Sequence, residues 1–160
     1  MKKTMTKTVI GVAMAILIVL AISQVSTFAN QEGSKGLEGT WNVQVTLRNC
    51  LTGDAIRTFP SLVTYSGGGT VMETTSAISP TLRYPGQGVW HYKGAQLYGA
   101  SFMFFRFNPD GSFAGTQKIT QDIELTHNDE LDITASVEVR DAANNLTGTG
   151  CVTSTGTRFE

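Results

Sequence analysis

The sequence predicts an all-β protein, an eight-stranded antiparallel up-and-down barrel, and three observations carry that expectation. From Gly39 onward the apolar residues recur with period two and nowhere with the helical period. Most of the connections are short and rich in Gly, Asn and Asp, as hairpins require. The first and last strands also place two residue pairs in nearly one antiparallel register. The index sum is 201 for Cys50 with Cys151 and 199 for Trp41 with Arg158.

In chain order the strands are expected at 40–50, 59–66, 70–75, 88–92, 96–108, 112–125, 131–141 and 146–159. Gly67-Gly68-Gly69 turns the second into the third. Residues 76–87, with Pro80, Pro85 and Gly86, form the one long loop. Asn108-Pro109-Asp110-Gly111 suits a type I turn closed by a left-handed glycine. From Phe113 to Leu125 one face carries Phe113, Gly115, Gln117, Ile119, Gln121, Ile123 and Leu125. The other carries Ala114, Thr116, Lys118, Thr120, Asp122 and Glu124, one core face and one wet face. Leu131, Ile133, Ala135, Val137 and Val139 repeat that pattern in the seventh strand. Eight such strands make a barrel that closes on side chains or on one small ligand. The alternative is a five- or six-stranded sandwich with frayed ends.

Ahead of the barrel, Lys2, Lys3 and Lys7 precede an uncharged apolar run of 14 residues from Val9 to Ile22, and Thr27-Phe28-Ala29 supplies small residues for cleavage. That is the pattern of a secretory signal peptide over residues 1–29, too short to span a bilayer as a helix. An uncleaved anchor is the rival reading. Residues 30–37, polar and glycine-rich, read as a flexible lead-in, and 38–160 as the barrel domain.

Loss of Lys2, Lys3 and Lys7 leaves nine basic against thirteen acidic side chains, a net charge of −4. Without a basic stripe the chain is not expected to bind nucleic acid. Without a polybasic cluster no stable membrane attachment is expected after cleavage. Export places the protein outside the cell or in the periplasm. There, an even pair of cysteines reads as a Cys50–Cys151 disulfide rather than two free thiols. Such a bridge closes a loop of about 100 residues, worth about 4–5 kcal/mol in the chain-entropy model.

Gly39-Thr40-Trp41 opening the first strand, with Arg158 near the end of the last, resembles the lipocalin and calycin pattern. That resemblance implies a tryptophan at the closed end of the barrel, covered by an arginine from the final strand, so Trp41 and Arg158 take structural roles. Over 38–160 the chain more closely resembles an uncharacterised family of secreted bacterial barrels of this type. The carrying segments are Gly39 to Gly53, Gly88-Val89-Trp90, Phe105 to Leu125, and Gly150-Cys151 through Gly156-Thr157-Arg158-Phe159. The resemblance implies a fold and a compartment but no reaction.

No residue cluster announces chemistry. His91 and His127 are the only histidines and have no partners at zinc-ligand spacing. No serine sits in a nucleophile elbow and no glycine-rich loop leads into a helix as a phosphate cradle needs. Neither a metal nor a cofactor is expected. Candidate cavity-lining residues are Gln117 and Gln121, amides on an otherwise apolar face, with His91, Met103 and Phe105. A three-residue turn after Asn108 sends Met103, Phe105 and Phe107 inward with Gln117, whereas a two-residue turn swaps the faces. In the first register Phe102 and Phe104 stand outside, as a face for a homo-oligomer or another partner, or as a patch covered by the 76–87 loop.

These features favour a secreted barrel that binds a small apolar or amphipathic molecule, without catalysis. The alternatives are a barrel enzyme of the cyclase or isomerase kind, with Gln117, Gln121, His91 or Glu73 converging, and a filled-core interaction module acting through its outer aromatic face.

Overall fold

Alternation of apolar and polar residues forces each strand of this chain to hide one face, and eight strands do so by closing on themselves. The computed structural model describes residues 36–159. The segment 1–29, read as a signal peptide, and 30–35 of the lead-in lie outside them. The strands are β1 (Gly39–Arg48), β2 (Ala55–Ser66), β3 (Thr70–Thr75), β4 (Gly86–Gly94), β5 (Leu97–Phe107), β6 (Phe113–His127), β7 (Glu130–Arg140) and β8 (Leu146–Arg158). Each pairs antiparallel with the next and β1 pairs with β8, so the sheet is a closed barrel and not a sandwich.

The seam follows the register read from the sequence. Trp41 faces Arg158, and the pairing runs without a shift to Arg48 opposite Cys151. Cys50 lies two residues beyond Arg48 and reaches back to Cys151, with their Cα atoms 5.3 Å apart. This disulfide is a mark of an oxidising compartment. At the other end of the seam the Arg158 guanidinium lies 4.3 Å over the Trp41 ring. Its nitrogens donate to the carbonyls of Gly36, Glu38 and Asn128 and to Asp129 Oδ1. Trp41 Nε1 donates to the Leu37 carbonyl at 2.9 Å. Leu37, assigned from sequence to the flexible lead-in, is fully buried, because that hydrogen bond and the tryptophan draw it under the barrel floor.

The faces of β5 differ from the expected ones. The turn forms as read, Asn108 N donating to Ser112 O at 2.9 Å. Past it, Phe107 pairs with Phe113 but Arg106 pairs with Gly115, so Ala114 is an extra residue in a β-bulge. Gly115 permits this with φ of 120°, and a Cβ there would come within 2.0 Å of the Arg140 carbonyl oxygen. One inserted residue exchanges the faces of everything beyond it. Phe102 and Phe104 therefore point inward, 5% and 4% exposed, while Met103 and Phe105 stand outside at 43% and 47%. Phe113, expected on the core face, falls on the outer side with Phe105, their rings 6.0 Å apart. The homo-oligomer face expected at Phe102 and Phe104 is thus barrel interior.

The β3–β4 loop runs alongside the end of β5. Phe107 N donates to the Leu82 carbonyl and Tyr84 N to the Phe105 carbonyl. Tyr84 lays its ring 4.9 Å from that of Phe107, so the loop partly covers the outer aromatics. Arg83, between them, turns inward and is buried.

Candidate functional site: a cavity beneath the open end

The interior is divided by side-chain size. Toward the end that holds the β2–β3, β4–β5 and β6–β7 turns, Trp41, Tyr65, Leu131, Ile123 and Val71 are each less than 2% exposed and fill the barrel. Toward the opposite end the inward positions are smaller or shorter, including Ser61, Ala135 and Ser154. A cavity of about 230 Å³ remains there. Its walls are apolar, from Val45 and Leu47 on β1, Phe59 on β2, Phe102 and Phe104 on β5, Ile119 on β6 and Val137 on β7, and Ala77 and Ile78 of the β3–β4 loop lie at its mouth.

Polar groups interrupt these walls at defined places. Strand alternation points Val71 and Glu73 the same way, so a carboxylate enters the core beside an apolar residue. Arg83 Nη2 donates to Glu73 Oε2 at 2.6 Å, with both side chains less than a tenth exposed. Ser61 Oγ lies 2.8 Å from Glu73 Oε1 and 2.9 Å from the Thr74 carbonyl oxygen, and its one proton serves either. Arg83 Nε donates to the Tyr84 carbonyl, and the guanidinium sits 3.6 Å over the Phe104 ring. A buried charge in an apolar wall needs such a partner and such hydrogen bonds. Gly86 is needed for the approach, since a Cβ there would meet the Phe102 ring at 2.6 Å and Glu73 Oε2 at 3.2 Å.

Deeper in, Tyr65 Oη donates to Gln121 Oε1 at 3.1 Å. Burial, and then the Glu73 charge, push the Tyr65 phenol well above its ordinary range, which keeps it a donor. Among the described residues no three His, Cys, Asp or Glu side chains gather as a metal site would need.

Of the residues picked from sequence, Gln117 and Gln121 both line the cavity. Met103 and Phe105 do not, for the reason the Ala114 bulge gives. Nor does His91, which is exposed on the outer wall and packs over Gly99, where a Cβ would lie 2.7 Å from its Cε1. From the sequence, Glu73 is a candidate only within the catalytic alternative, and Ser61 and Arg83 are not candidates at all. Parity along β2 and β3 marks Ser61 and Glu73 as inward. Arg83 sits in an irregular loop with no period to read.

Searches of protein-family models and of curated proteins find no match for this chain. The eight-stranded antiparallel barrel, with its tryptophan–arginine closure, is consistent with a lipocalin-like fold.

Proposed function

We propose that the protein is an exported, lipocalin-like barrel that binds a small apolar or amphipathic molecule inside its open end. The observation that carries this reading is the cavity of about 230 Å³, apolar in its walls and polar at a few fixed points. That combination is what small-molecule sites offer, although those for drug-sized ligands run to roughly 300–1,000 Å³. The disulfide supports export, and the signal-like segment over 1–29 supplies the route.

An enzyme of the cyclase or isomerase kind is the second reading, favoured by the convergence of Glu73, Ser61, Arg83 and Gln121 on one cavity. Glu73, however, is already held by Arg83 and Ser61. It is engaged as a structural anion and not left as a base facing open space.

Native mass spectrometry of the protein purified from its own host tests the proposal. The expected result is a chain that carries a releasable small molecule. A chain that emerges empty, and whose Val45, Leu47 and Val137 methyl resonances ignore millimolar 1-octanol, overturns it.

A further inference from the structure

Charge is distributed unevenly between the two faces of the barrel wall. Arg57 and Arg83 line the cavity, and Glu73 is its one lining carboxylate. Arg106 lies one inward position nearer the rim than Phe104. It pairs with Gly115 on the inner face of β6 and bridges to Arg83. Two guanidinium groups, Arg57 and Arg83, therefore line an apolar cavity against one carboxylate, and strand parity puts Arg106 on the same side of β5 beyond the lining, in a chain whose barrel is net acidic. Glu73 is consumed by Arg83. Among the described residues neither Arg57 nor Arg106 has an ion-pair partner; Arg57 makes only a 3.5 Å contact to the Ala77 carbonyl and rests 5.7 Å from the Phe59 ring.

The carboxylates at the same end do not answer them. Asp54 accepts from Thr52, Asp110 from Ser112, and Asp141 from Ala143 and Asn145, each within its own exposed turn. Those bonds, first of all from the Ser112 and Asn145 side chains, hold Asp110 and Asp141 below the usual carboxylate range. Gln117 also reaches the cavity with no side-chain hydrogen bond to a described residue.

A guanidinium at an apolar wall gains most from an anion that fits its planar fork. We infer that the cavity selects a small carboxylate with an apolar body, its head held at the mouth by Arg57 and Arg106 and its tail directed to Val45 and Ile119. This deepens the ligand-binding reading and rests on it. The size follows from volume. A 150 Å³ apolar cavity holds benzene, so by proportion about 230 Å³ holds roughly nine non-hydrogen atoms. Benzoate, with nine, lies at that limit, and octanoate, with ten, meets it with its head group left at the mouth.

Calorimetric titration of the barrel with octanoate, 1-octanol and octylammonium in low salt separates the possibilities, because the three share one tail. Octanoate is expected to bind about tenfold tighter than octanol, the worth of a charge-assisted hydrogen bond, and octylammonium weakest. Arg57→Gln and Arg106→Gln, which break no ion pair among the described residues, should each narrow the octanoate–octanol gap. Equal affinity for octanoate and octanol overturns the carboxylate inference and leaves the binding reading standing. Tightest binding of octylammonium overturns it in favour of Glu73 as the anchor. A gap that neither variant narrows removes the arginines from the assignment. No binding by any of the three probes brings down the cavity reading itself.

Discussion

The two ends of this barrel are built by one alternation rule and reach opposite results. At the closed end the inward positions carry Trp41, Tyr65, Leu131 and Ile123, and Gly156 is small enough to let Leu131 press in, a Cβ there coming within 2.8 Å of its Cδ1. At the open end the same inward parity delivers Ser61, Ala135 and Ser154, and space is left over. Large side chains make the first end a core that holds the fold. Small ones make the second a cavity, and the buried Glu73–Arg83 pair gives that cavity its polarity. Close packing and open space are thus separated along one axis.

The open end, lacking a filled core, is stapled. Cys50→Ser with Cys151→Ser should have the largest effect, a loss of about 4–5 kcal/mol for a crosslink spanning 101 residues. Urea denaturation of the variant beside the wild type measures it. A loss below about 1 kcal/mol would mean that register and packing alone hold the seam, and that the two ends differ less in what secures them.

The contrast itself is broken or sharpened by one truncation at each end. Trp41→Ala removes a fully buried ring and the surface under Arg158, and should cost about 3–5 kcal/mol. Leu47→Ala removes a half-buried side chain that already borders empty space. The expected cost is about 1 kcal/mol, because little packing is lost and no new isolated void forms. Thermal melts of the two variants give the ratio. Equal losses would show that the open end is packed as firmly as the closed one.

How much of this was legible in the sequence follows the same division. The strands and the seam could be read because period two and opposed index sums are local arithmetic. Trp41 meets Arg158 as that arithmetic implies, and Cys50, two residues past the partner of Cys151, bonds to it from the β1–β2 turn. Gln117 and Gln121 were also found, by parity along a long regular strand. The faces of β5 were not, because a bulge is one residue of insertion and its only sequence sign is Gly115, in a stretch where glycine also suits an ordinary strand. Arg83 was invisible for a different reason. Its inward turn is set by hydrogen bonds of the β3–β4 loop to the β5 backbone, which no side-chain pattern encodes.

Tyr65 joins the two ends, its ring in the closed core and its hydroxyl on Gln121 at the cavity floor. Tyr65→Phe keeps the ring and removes the donor, leaving Gln121 Oε1 without its bond. A loss of about 1–3 kcal/mol is expected near neutral pH. The alkaline behaviour has a definite sign. The folded phenol titrates above its ordinary value because burial disfavours the phenolate. The stabilisation is fully present below about pH 10, where the unfolded phenol keeps its proton, and is lost progressively as the pH rises above it. Thermal denaturation at pH 8 and pH 11 should show wild type losing more stability over that interval than Tyr65→Phe. Parallel losses in the two proteins would place the phenol in contact with water, and would shift the boundary between filled core and open cavity toward the closed end.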